Sequence, residues 1–80
     1  MPIKSTQAPI PGIFYRRPGP GQPVFKNDGD MVVAGDTLGL IEVMKTFTPV
    51  VAEGAGRVVR FIAVDEEPIM AGQALVEIDG

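Results

Sequence analysis

The sequence predicts an all-β domain, and three observations carry that prediction. Ten glycines and eight prolines in 80 residues disfavour long helices, because each is costly inside one. No window of apolar residues holds a helical period; short runs rich in Val, Ile and Phe alternate instead with Gly, Pro and Asp clusters. The chain also repeats itself, which suits two packed β units.

The runs give the elements in order. A first strand is expected over 8–16, through Ile13-Phe14-Tyr15, and a short one over 24–27 after a proline-rich stretch. "NDGD" (Asn27–Asp30) reads as a turn that leads into a strand at 31–33. Further strands are expected at 37–43, 47–52, 56–64, 67–70 and 74–79, each bounded by Gly, Pro or acidic residues. Residues 1–7 are expected as an N-terminal tail, and 8–80 as one domain.

The repeat places Asp28–Glu42 over Asp65–Asp79, an offset of 37 residues, with five of fifteen positions identical. Chance gives about one. Upstream, Gly12–Arg16 matches Gly56–Arg60 at an offset of 44. The first half therefore carries a seven-residue insertion, "RPGPGQP" (Arg17, Pro18, Gly19, Pro20, Gly21, Gln22, Pro23). Its prolines suit a protruding, semi-rigid loop rather than a strand. Two such units pack as a small sandwich about a pseudo-two-fold axis.

Composition excludes several functions. There is no cysteine and no histidine, so thiolate nucleophiles, disulfides and the commonest transition-metal ligand are absent; no metal site is expected. A net charge of −3 argues against nucleic acid as the main partner. The apolar runs are far shorter than the ~20 residues of a membrane helix, and the start lacks the apolar stretch of a signal peptide. A cytoplasmic protein without membrane contact is the expectation.

One lysine stands out. In "IEVMKTFTPV" (Ile41–Val50) Lys45 interrupts a β-branched run. In one straight strand it would share a face with Ile41, Val43 and Phe47, and burying an unpaired ammonium costs several kcal/mol. The repeat puts a chain reversal soon after Glu42, so a turn at Met44–Lys45 is expected, although it lacks the Gly, Asn or Asp of tight hairpins. Lys45 is then a solvated surface residue, a catalytic amine, or a covalent attachment point on an exposed tip. The acidic run Asp65–Glu67 reads as a solvated face. Gly35, Gly39 and Gly72 read as structural.

At these residues the chain resembles a known family. Glu42-Val43-Met44-Lys45 resembles the Glu-Ala-Met-Lys motif of biotin carboxyl carrier domains, and Ala8–Gly21 resembles the opening strand and "thumb" of those of acetyl-CoA carboxylase. The resemblance implies a flattened barrel of two four-stranded antiparallel sheets with quasi-two-fold symmetry. It implies biotin on Lys45, with Glu42, Val43, Met44 and Thr46 read by a biotin protein ligase. It also implies transfer of a carboxyl group from biotin carboxylase to carboxyltransferase, by a carrier with no catalysis of its own. Two positions depart from the family: Thr46 replaces the usual Met or Leu, and Arg17-Pro18-Gly19-Pro20 replaces a thumb with hydroxyl side chains. Arg17 or a backbone group then stands as the thumb's donor. A lipoyl carrier domain of a 2-oxoacid dehydrogenase complex, and an unmodified binding domain of the same fold, are the alternatives.

Overall fold

The computed structural model describes residues 3–80. Among them eight strands form: β1 (Ile3–Gln7), β2 (Gly12–Tyr15), β3 (Met31–Val32), β4 (Thr37–Val43), β5 (Thr46–Val51), β6 (Gly56–Phe61), β7 (Glu67–Ile69) and β8 (Ala74–Asp79). They make two four-stranded antiparallel sheets, ordered β1-β8-β6-β3 and β5-β4-β2-β7.

The internal repeat governs this topology. Shifting the numbering by 37 or 44 residues turns β1, β8, β6 and β3 into β5, β4, β2 and β7, so each sheet is the image of the other. The registers obey the same shifts. Phe14 faces Ile41 as Val58 faces Ile78, and Gly12 faces Ile69 as Gly56 faces Val32. Two irregularities repeat as well: Leu38 and Leu75 are each the extra residue of a β-bulge, skipped in pairing with β5 and with β1, and both are fully buried. A third does not: Val59 is skipped in pairing of β6 with β8, whereas its counterpart Tyr15 pairs with Leu40. The turns at Gly35 and Gly72 have φ of 91° and 84°, a conformation that suits glycine.

The core follows the pairing. One cluster holds Ala8, Phe14, Ile41, Val50, Ala63, Ile69 and Leu75; its counterpart holds Val32, Leu38, Ala52, Val58, Val76 and Ile78, and Phe61 packs against both. Each fully buried large side chain contributes roughly 1.5–3 kcal/mol against exposure. The two halves are not identical. Phe14 stands where the second repeat has Val58, and Gly39 where it has Val76. A Cβ on Gly39 would lie 2.6 Å from the Phe14 ring and 2.7 Å from the Tyr15 carbonyl oxygen, so the larger ring is accommodated by the smaller neighbour.

Three sequence expectations need correction. Of the tail expected at 1–7, residues 3–7 form β1, which pairs along its length with β8. Its polar run hid it: only Thr6 points inward, at the position that Val50 occupies in the other sheet, and backbone pairing rather than apolar burial holds the strand. The strand expected at 8–16 starts only at Gly12, because Pro9 and Pro11 lack the N–H that a ladder requires. The strand expected at 24–27 does not form; after Pro23 the segment is tied back without a ladder, its Phe25 N–H donating to the Arg16 carbonyl (2.8 Å). The turn at Asn27–Asp30 is present, with Gly29 at φ 91° and the Asn27 N–H donating to the Asp30 carboxylate (2.8 Å).

Candidate functional site

The β4–β5 hairpin closes through two residues. Val43 pairs with Thr46, and Met44 and Lys45 between them have φ of 49° and 66°. Positive φ at both central positions is the type I′ turn, whose twist matches the strands and whose usual residues are Asn-Gly. Met and Lys are disfavoured there by their Cβ atoms. The reversal expected after Glu42 therefore lies at Met44–Lys45. Met44 is 93% exposed and Lys45 is exposed at the tip beside it. An amine so placed is open to an approaching enzyme, and its long stem gives reach to anything attached.

Below the tip, Glu42 and Phe47 face each other across the two strands. The Tyr15 hydroxyl donates to Glu42 Oε1 (2.9 Å), and the Tyr15 and Phe47 rings stand 6.2 Å apart at 58°. That hydrogen bond first, then partial burial and the charges of Glu42, Glu66 and Asp65, raise the Tyr15 phenol above its ordinary value of 10.0. Glu42 is thus the fixed end of a cross-strand pair.

The proline-rich loop leaves β2 beside these rings. It turns at Gly19–Gln22, where the Gln22 N–H donates to the Gly19 carbonyl (3.2 Å) and Gly21 has φ 76°. Asp65 holds its base: one carboxylate oxygen accepts the Arg16 N–H (2.8 Å), and the other lies 3.4 Å from Arg17 Nε. Arg17 also donates to the Gln22 carbonyl (3.3 Å), so part of its guanidinium is engaged within the loop. Arg16 stacks 4.0 Å above the Phe61 ring and donates to the Lys26 carbonyl (3.2 Å).

Between loop and hairpin lies a cleft of about 310 Å³, lined by Tyr15, Arg17, Pro18, Gly19, Pro20, Phe47, Asp65 and Glu66. Of the expected loop residues, Arg17 to Pro20 face the cleft, while Gly21, Gln22 and Pro23 are exposed outside it. Val43, Met44, Lys45 and Thr46 form the exposed tip and do not line it. Nothing in the surroundings of Thr46 explains its identity. Sequence reading missed Tyr15, Asp65 and Glu66 as parts of this site. Asp65, expected as solvated, is half-buried and carries the tie to the loop.

The comparisons with known proteins agree with this geometry. A family model described as "Biotin-requiring enzyme" matches residues 4–78. The chain is 39% identical over 77 residues to the biotin carboxyl carrier protein of acetyl-CoA carboxylase 2, chloroplastic, of Arabidopsis thaliana; the match covers 96% of this chain and 29% of that protein. It is 37% identical over 76 residues to the biotin carboxyl carrier protein of acetyl-CoA carboxylase of a Nostoc strain, covering 95% of this chain and 42% of that protein. The chain thus spans less than half the length of either relative. Among solved structures, Kluyveromyces lactis urea carboxylase superposes with a TM-score of 0.79 at 28% identity, over 99% of this chain and 6% of the larger one.

Proposed function

The chain belongs to the biotin-requiring enzyme family, and from that premise we propose that it is a non-catalytic carrier domain with biotin bound covalently to Lys45. One observation carries the reading: a lysine, preceded by methionine, occupies a left-handed hairpin turn that neither residue favours, at an exposed tip of its sheet. Local stability does not select those residues, so function is the remaining reason for them.

In the proposed modification a biotin protein ligase presents biotin as its acyl-adenylate. The Lys45 amine attacks the acyl carbon, an amide bond forms, AMP departs with the electron pair, and the amine releases a proton. Val43, Met44 and Thr46 give the ligase an exposed surface around the amine, while Glu42, held by Tyr15, fixes the strand beneath it. When bound, biotin supplies a ring nitrogen that accepts a carboxyl group at one active site and yields it at another. The chain itself contributes tethering, which keeps the attached group at high effective concentration for both sites.

The cleft suits a small flat ring. Tyr15, Phe47, Pro18 and Pro20 offer apolar walls, and carboxylate oxygens stand at its margin. Arg17 to Pro20 of the loop are its outer wall, the part of the thumb. The proposed partners are the ligase, biotin carboxylase and carboxyltransferase, the larger assembly an acetyl-CoA carboxylase that opens fatty acid synthesis, and the proposed compartment the cytoplasm. Among the described residues no helix is long and apolar enough to cross a membrane.

Incubation with biotin protein ligase, ATP and biotin tests the assignment. Lys45→Arg keeps the melting behaviour of the parent, since exposed substitutions change stability by roughly 0.5 kcal/mol or less, and takes up no biotin. Biotin persisting in that variant, at Lys4 or Lys26, refutes the site.

A further inference from the structure

Glu66 occupies the turn before β7 with φ of 68°. Its counterpart in the first repeat is Gly29, with φ of 91°. Glycine adopts that backbone freely, whereas a glutamate there is disfavoured. The turn does not depend on the side chain. The Glu66 N–H donates to the Phe14 carbonyl (2.7 Å), and the Gly29 N–H donates to the equivalent Val58 carbonyl at the same distance. A glycine thus makes the same bond in the other half of the molecule, and the second repeat keeps a strained glutamate instead.

What the side chain adds is a carboxylate at the cleft. The other two carboxylates nearby are committed: Glu42 accepts from Tyr15, and Asp65 accepts from the Arg16 backbone and faces Arg17. Among the described residues the Glu66 carboxylate has no hydrogen bond or ion pair of its own. The walls opposite are two aromatic rings and two prolines. An acceptor of this kind beside apolar walls discriminates by donors: a ring bearing N–H groups gains a charge-assisted hydrogen bond, and a ring without them gains none.

We propose that Glu66 is a specificity-determining residue of the cleft, accepting a hydrogen bond from a ring N–H of the group carried on Lys45. The cyclic urea of biotin has such N–H groups, and the dithiolane of a lipoyl group has none. This rests on the function proposed above.

The test uses this chain biotinylated by the ligase, with intact mass confirming one biotinyl group, and compares it with Glu66→Gly and Glu66→Gln. The readouts are thermal unfolding and hydrogen exchange of the urea N–H protons by NMR. Glu66→Gly should melt at or above the parent temperature, because it relieves the left-handed strain. Its urea protons should exchange about fivefold faster or more, the change expected for loss of one modest hydrogen bond. Glu66→Gln, which keeps a neutral acceptor, should fall between. Urea protons that exchange at the parent rate in biotinylated Glu66→Gly overturn this inference alone. A chain that takes no biotin at Lys45 overturns the functional reading and this inference with it.

Discussion

Replacing Met44-Lys45 by Asn-Gly should make the protein more stable while removing the group it is proposed to carry. Both positions have positive φ, 49° and 66°. Left-handed backbone costs an ordinary L-residue roughly 1–2 kcal/mol, whereas Asn tolerates it and Gly has no Cβ to clash. Relief at two positions is worth roughly 2 kcal/mol. The added glycine raises the entropy of the unfolded chain, which gives back about 0.5–1 kcal/mol. The net gain is about 1 kcal/mol, and for a domain of this size that raises Tm by about 4–8 °C. Exposure of Met44 means that no core packing is lost to offset it. The assay is thermal unfolding, with urea titration at equal slope as a check, on unmodified protein. An unchanged or lower Tm refutes the reasoning: the turn would then hold its Met-Lys pair without strain, and its unusual sequence would need no functional cause.

Two other predictions follow from the packing and the titration. Gly39→Ala should cost about 1–3 kcal/mol in urea unfolding, because its Cβ meets the Phe14 ring and the Tyr15 carbonyl oxygen, whereas Gly54→Ala, whose Cβ meets nothing, should be neutral or slightly stabilising. Equal effects at both sites would contradict the close approach at Gly39. Tyr15 is the chain's one tyrosine, and there is no tryptophan, so ultraviolet absorbance follows its ionisation alone. Its midpoint should lie above 10.0 and drop in Glu42→Gln. Since the folded value is raised, the stabilisation it reflects is present below the unfolded value of about 10 and is lost as pH rises through the folded one. A parent midpoint at or below 10.0 would refute the Tyr15–Glu42 hydrogen bond.

How far the sequence reveals this molecule depends on the kind of signal each part leaves. The duplication is visible as identities at fixed offset, and it specifies topology: matching strands pair in matching order, and the bulges at Leu38 and Leu75 recur, while the slip at Val59 belongs to the second repeat alone. The turn at Lys45 is visible because a cation in an apolar strand is costly, and only a reversal removes that cost. β1 leaves no apolar trace, because backbone pairing with β8 holds it and Thr6 is its one buried side chain. Strand-like composition at 24–27 fails for the opposite reason: Val24 and Phe25 are half-buried, but no neighbouring strand is there to ladder with. The tie between Arg17 and Asp65 joins residues 48 apart, with no periodicity linking them. Glu66 did leave a signal, a glutamate written over Gly29 in the repeat, and positive φ explains why that mismatch matters.

The most direct test is the mass of this chain made in cells alongside biotin protein ligase and ample biotin, with the modified peptide then mapped. One biotinyl group on Lys45 is the predicted result. A lipoyl group on Lys45, a biotinyl group on Lys4 or Lys26, or a chain left unmodified contradicts the proposed function.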